Sequence, residues 1–205
     1  MSMSRGETWA AAAALAIGVP LVFMFARAAS EGETRRVEAP LRAILGNRTF
    51  EAFASGETPP QHYLGQNRRA PDFTLRDREG RPWRLRDHRG QVVVMNFWTV
   101  TCAPCIEEMP SLEELGRIAR HRPEIELVTV CTDANWRTAS RAFPGREPGV
   151  RVLFDPDKSV VRGKYGTRLY PETWIVDAEG VIRLRIDGPR DWSSALAVNL
   201  IESFQ

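Results

Sequence analysis

Runs of apolar residues change period along the chain, and the changes predict its elements. Residues 91–97 (QVVVMNF) and 125–131 (IELVTVC) are apolar, β-branched runs of strand length, the pattern of strands buried on both faces. Between them, Ile106, Met109, Leu112, Leu115 and Ile118 recur at helical spacing and predict a helix from Cys102 to Arg120. Pro110 is expected to kink that helix near its start. Ahead of the first run, Phe73-Thr74-Leu75 and Trp83-Arg84-Leu85 flank the turn residues Asp77-Arg78-Glu79-Gly80, which predicts a hairpin. Downstream the pattern predicts a helix over 135–143, a strand over 150–154 and a short helix around 157–165. A hairpin then joins 172–177 to 181–186 across Ala178-Glu179-Gly180, and a helix over 192–204 closes the chain. The sum is an α/β fold, a sheet of mixed strand direction covered on both faces, with the first hairpin as an addition to it.

A different pattern precedes that domain. Residues 9–26, WAAAAALAIGVPLVFMFA, carry no charge and, as a helix, span about 27 Å against a bilayer core of about 30 Å. Length therefore fits a membrane anchor, while Ala26-Arg27-Ala28 fits the A-x-A site of a cleaved signal peptide. The charges do not orient it: Arg5 stands before the run and Arg27, Arg35 and Arg36 after it. The organisation expected is a tail (1–8), an anchor or signal segment (9–27), a juxtamembrane linker with a short amphipathic helix (28–67), and a folded domain (68–205).

Composition changes little in this picture. The chain has 205 residues, 43% hydrophobic and 26% charged, which describes a foldable protein. Its net charge of +2 and the interleaving of Arg with Asp and Glu offer no stripe for nucleic acid. Three cysteines, Cys102, Cys105 and Cys131, are too few to staple a scaffold, so a disulfide here is chemistry rather than support.

Cys102 and Cys105 follow a buried strand and open a helix. A thiolate at that helix start meets unpaired backbone N–H groups and the positive end of the helix dipole, which favours its charged form. Cys105 lies one turn deeper on the same face, within disulfide reach, so the outer sulfur is placed to attack and the inner one to resolve. Ala103-Pro104 suits a helix start. The metal alternative needs a second ligand pair, yet Cys131, His62, His88 and His121 are not paired at ligand spacing. Cys131 ends an apolar strand and reads as inert core.

In order and spacing, APDFTL, RGQVVVMNFW, C-x-x-C, EEMP and YPETWIVDAEG resemble the TlpA/ResA-type proteins, including the CcmG group. These are membrane-anchored, thioredoxin-fold thiol–disulfide oxidoreductases of the AhpC/TSA-Redoxin superfamily, and the resemblance spans about two-thirds of the chain, from Ala70 onward. It implies a thioredoxin-like fold with an extra N-terminal hairpin, set outside the cytoplasm, in the periplasm. It also implies disulfide-containing extracytoplasmic protein substrates, such as cytochrome c precursors or copper-centre proteins, and a thiol-type electron donor across the membrane. No cofactor and no metal are called for. By the same resemblance Cys102 is the nucleophile, Cys105 the resolving thiol, and Glu108 a catalytic acid that moves protons for Cys105. Pro171 matches a cis-proline facing the cysteines, with Tyr170 before it; Trp98 and Thr101 complete the expected substrate-binding set. Two departures stand out: Asn96 occupies the place of a buried thioredoxin aspartate, and Thr101 that of a frequent tryptophan.

Two other functions fit parts of the sequence. Thr99-Val100-Thr101-Cys102 gives the T-x-x-C of a peroxiredoxin-like thiol peroxidase, although Met95 stands where a proline belongs. A metal-binding or metallochaperone module is the second. The direction of exchange, reductant or oxidant, depends on a reduction potential that the dipeptide between the cysteines does not encode.

Overall fold

The structure, a computed structural model, describes residues 68–205 and, before them, the helical positions Glu38, Ala39, Arg42, Asn47 and Phe50. The expected anchor or signal segment and nearly all of the linker lie outside the described residues. No helix among those described is long and apolar enough to cross a membrane.

The elements run β1 (Thr74–Asp77), β2 (Pro82–Arg84), a 3-10 turn (Leu85–His88), β3 (Val92–Trp98), α1 (Ala103–Ala119), β4 (Ile125–Cys131) and α2 (Trp136–Ala139). A second 3-10 turn (Ser140–Ala142), β5 (Arg151–Phe154), β6 (Glu172–Val176), β7 (Ile182–Asp187) and α3 (Ala195–Glu202) follow. The strands form one sheet in the order β2-β1-β5-β4-β3-β6-β7. β3, β4 and β5 are parallel, whereas β6, β7, β1 and β2 pair antiparallel to their neighbours. The expected hairpin, β1 with β2, extends the sheet beyond β5.

All seven residues of β3 are buried, which is why no polar alternation interrupts its sequence. Val92, Val94 and Trp98 face one core with Cys105, Met109, Leu112 and Leu115 of α1 and Ala197, Val198 and Ile201 of α3. Val93, Met95 and Phe97 face a second core with Ala70, Phe73, Trp83 and Leu85. Phe50 is buried in the first core. α1 continues through Pro110, whose side chain is exposed.

Among the described residues no α-helix packs on the second face. The short helix expected around 157–165 is instead a series of wide turns, and local chemistry explains why. The Asp155 carboxylate at the end of β5 accepts the backbone N–H of Val161 (2.7 Å) and of Val160 (3.1 Å), and the Ser159 hydroxyl (3.2 Å). Lys158 adopts φ +59, off the helical path. Gly163 and Tyr165 then donate to carbonyls five residues back, Lys158 and Val160. A Cβ at Gly163 would lie 2.3 Å from the Ser159 carbonyl oxygen, so the winding admits only glycine there. Val160, Val161 and Tyr165 still reach the core. The closing helix also starts later than its apolar pattern, at Ala195, with Ser194 capping it through the Ala197 N–H (3.3 Å).

Asp155→Ala leaves two buried N–H groups unpaired, and is expected to cost about 2–3 kcal/mol of unfolding free energy in urea denaturation.

Candidate active site

β3 delivers the chain to the site. Beyond Trp98 the loop is clamped by Asp133, which follows β4: its carboxylate accepts the Thr99 hydroxyl (2.8 Å) and the Val100 N–H (2.8 Å). The Cys102 N–H donates to the Thr99 carbonyl (3.1 Å), and Cys102 is the N-cap of α1, with Pro104 in its first turn. The Cys102 sulfur accepts the Cys105 N–H at 3.2 Å. The two sulfurs form a disulfide, with S–S 2.13 Å and Cα–Cα 5.3 Å. Cys102 is half-buried and Cys105 fully buried, so one sulfur fronts solvent and the other stands behind it.

Glu108, one turn after Cys105 on the same helix, is only 4% exposed. Its Oε1 accepts the Asn96 side-chain amide (2.7 Å), and its Oε2 accepts the Arg190 N–H (3.1 Å) and the Trp192 Nε1–H (3.2 Å). Asn96 Nδ2 also donates to the Thr173 hydroxyl (3.0 Å). Burial raises the Glu108 pKa above its ordinary value; the bonds from Asn96, Arg190 and Trp192 and the Arg190 charge offset this only in part. The residue also helps line a groove of about 540 Å³ between α1 and the segment 189–193. Glu107 beside it is exposed.

The Tyr170–Pro171 bond is cis. Phe97 pairs with Glu172, so Tyr170 and Pro171 lie at the end of the sheet from which the cysteine loop leaves β3. Tyr170 is half-buried against both cores, Pro171 is buried and Thr101 is exposed. Trp98, expected among the substrate-binding residues, ends a strand buried on both faces and is itself fully buried, edge-on to Phe143 (centroids 5.9 Å).

Cys131 is buried; its thiol donates to Asp133 Oδ2 (3.1 Å), and burial, then the Asp133 charge, push its pKa up. Among the described residues no three His, Cys, Asp or Glu side chains converge as metal ligands.

Several participants carried no local signal. Arg190 and Trp192 reach Glu108 from more than 80 residues away, and Asp133 reaches the cysteine loop from the next strand. Glu172 is another buried acid, on the opposite face of the sheet from Glu108. It accepts the Trp174 Nε1–H (2.7 Å) and the Thr167 hydroxyl, and pairs with Arg185 (2.7 Å). Burial raises its pKa, with those partners opposing.

The sequence profile of the AhpC/TSA family matches residues 67–185. The chain is 32% identical over 151 residues to the thiol-disulfide oxidoreductase ResA of Geobacillus thermodenitrificans, covering 72% of this chain and 82% of ResA. It is 32% identical to the thioredoxin-like protein YneN of Bacillus subtilis, covering 58% of this chain and 70% of that protein. The crystal structure of a putative thiol:disulfide interchange protein DsbE from Chlorobium tepidum superposes with a TM-score of 0.59 at 26% identity. That match covers 67% of this chain and 95% of the other, and the fold is thioredoxin-like.

The raised pKa of Glu108 has a definite sign for stability. Above the ordinary glutamate value of 4.5, the unfolded chain has released this proton while the folded one retains it. Glu108 therefore favours folding at low pH, and its contribution is lost as pH rises through the folded-state pKa. In urea titrations of the oxidised protein, Glu108→Gln is expected to gain stability over wild type as pH rises above about 4.5.

Proposed function

The chain belongs to the AhpC/TSA family and is a thiol–disulfide oxidoreductase of the ResA type; from that premise we propose that it reduces disulfides in proteins outside the cytoplasm. The observation that carries this reading is the disposition of the two sulfurs, one fronting solvent at the N-terminus of α1 and one buried behind it.

In the reduced protein the Cys102 thiolate, favoured by the helix N-terminus, attacks one sulfur of the substrate disulfide. A Cys102–substrate bond forms as the substrate S–S bond breaks, and the other substrate sulfur leaves as a thiolate. Cys105 then gives up its proton and attacks Cys102 Sγ, which forms the Cys102–Cys105 disulfide and releases the second substrate thiolate. The substrate has gained two electrons and the protein has lost two. Glu108, on the Cys105 face and beside the groove along α1, is suited to take the Cys105 proton and pass it on toward solvent. Its raised pKa brings it nearer to the working range of a proton carrier than a surface glutamate would be. Tyr170, Pro171 and Thr101 border the approach to Cys102 in this reading, with Trp98 buried beneath the loop.

Regeneration needs a dithiol donor, which the reading supplies from across the membrane, with residues 9–27 as anchor or signal segment and the domain in the periplasm. Cytochrome c precursors and copper-centre proteins are substrates of the right chemistry. The relatives support exchange over the peroxidase and metallochaperone readings. Thr99, the threonine of the T-x-x-C pattern, directs its hydroxyl to Asp133.

A redox titration read by thiol alkylation and Trp fluorescence is expected to give a single two-electron transition toward the thioredoxin end, about −270 mV. A midpoint near the oxidising end, about −120 mV, would make the protein an oxidant instead. Cys102→Ala is expected to lose protein-disulfide reduction, and Cys105→Ser to accumulate a mixed disulfide visible on non-reducing gels.

A further inference from the structure

From Pro156 to Tyr170 the chain carries Lys158, Arg162, Lys164 and Arg168 against a single acid, Asp157, in a protein whose net charge is only +2. Lys164 donates to the Asp72 carbonyl (2.5 Å). Lys158, Arg162 and Arg168 are exposed and form no ion pair among the described residues. Elsewhere on the domain arginines sit against acids: Arg81 on Asp77, Arg84 on Asp72, Arg183 on Asp177. The three unpaired cations, with Thr167 and Tyr170, line a cavity of about 160 Å³ without an acid in its wall. Leu169, 82% exposed, is the one large apolar side chain left to solvent among the described residues.

This patch is held in place. Asp155 fixes its first turn, Val160, Val161 and Tyr165 anchor it in the core, and Thr167 is tied to buried Glu172. It adjoins the cis Tyr170–Pro171 bond, at the end of the sheet from which the Cys102 loop departs. Three like charges around one small cavity repel one another in the free protein, and an anionic partner relieves that repulsion. An exposed leucine beside them supplies apolar area that gains by being covered.

We infer that this surface selects the substrate: it docks an acidic segment, carrying an apolar residue, that flanks the disulfide to be exchanged. The inference rests on the exchange reading of Cys102–Cys105 and names the class of protein that reading leaves open. An anionic lipid surface has the same charge, but a membrane laid on this end of the sheet would cover the approach to Cys102.

The test uses the full-length protein in detergent, reduced, with disulfide-bridged peptides of equal length flanked by Asp/Glu, Ser/Gln or Lys/Arg, each with one leucine. At low ionic strength the acidic peptide is expected to react about tenfold or more faster than the basic one, as in electrostatically steered association. The gap is expected to close toward about 0.5 M salt. Arg162→Glu with Arg168→Glu is expected to reverse the order, and Leu169→Ser to slow the acidic peptide several-fold. Equal rates for acidic and basic peptides, with uncharged 2-hydroxyethyl disulfide still reduced by wild type, overturn this inference alone. Failure with 2-hydroxyethyl disulfide as well overturns the exchange reading and this one with it. Binding to phosphatidylglycerol vesicles that the double variant loses, without any peptide preference, overturns it in favour of a lipid surface.

Discussion

β3 has no free side. Its seven residues are buried on both faces, β4 runs parallel along one edge and β6 antiparallel along the other. A strand so confined cannot shift register without moving apolar side chains of both cores to the wrong face. What projects beyond its C-terminal end is therefore set by the core itself. Trp98 pairs with Cys131, which brings Asp133 to the cysteine loop, and Phe97 pairs with Glu172, which brings the cis Tyr170–Pro171 bond to the same end. A site drawn from three separate stretches of sequence is assembled by one strand and its two neighbours.

The same burial puts Glu108 in conflict. Its carboxylate is taken out of water, which favours the protonated form, while three N–H donors favour the charged one. Desolvation is the larger effect and the pKa rises. Asn96 makes both states tolerable. As it stands, its amide nitrogen bridges Glu108 Oε1 and the Thr173 hydroxyl, leaving Oδ1 buried with no partner among the described residues. Turned over, the amide presents Oδ1 to accept from a protonated carboxyl or from the Thr173 hydroxyl. A titratable residue at that position would add a second buried charge; asparagine supplies a partner for either state without one.

Much of this was legible from sequence because it follows from local pattern. The two-sided burial of β3 and β4 shows in their unbroken apolar runs, the helix in the spacing of Ile106, Met109, Leu112 and Leu115, and the cysteine pair in its place between them. Glu108 was singled out by the family resemblance, at its place three residues after Cys105, but its burial was not legible, because Arg190 and Trp192 come from a distant turn. Trp98 stands near Cys102 along the chain, but a strand buried on both faces encloses its side chain. The turns at 157–165 imitate a helix, since Val161 and Tyr165 stand four apart. Only the capture of two N–H groups by Asp155, and the wide winding around Gly163, distinguish them.

Asp155 is one case of a device the domain repeats. Asp77 at the end of β1 accepts the N–H groups of Glu79 and Arg81, Asp177 after β6 that of Val181, and Asp133 after β4 that of Val100. Each carboxylate stands where a strand ends and holds the turn that follows or a neighbouring one. A charged acceptor makes a stronger bond to an amide than a neutral one does, and the bonds within a turn close before long-range packing is needed. Loops built this way keep their shape without help from the disulfide. An exchange enzyme needs that property: the bond between Cys102 and Cys105 breaks and re-forms in each cycle, so the loops that present them to a substrate must be held by something else.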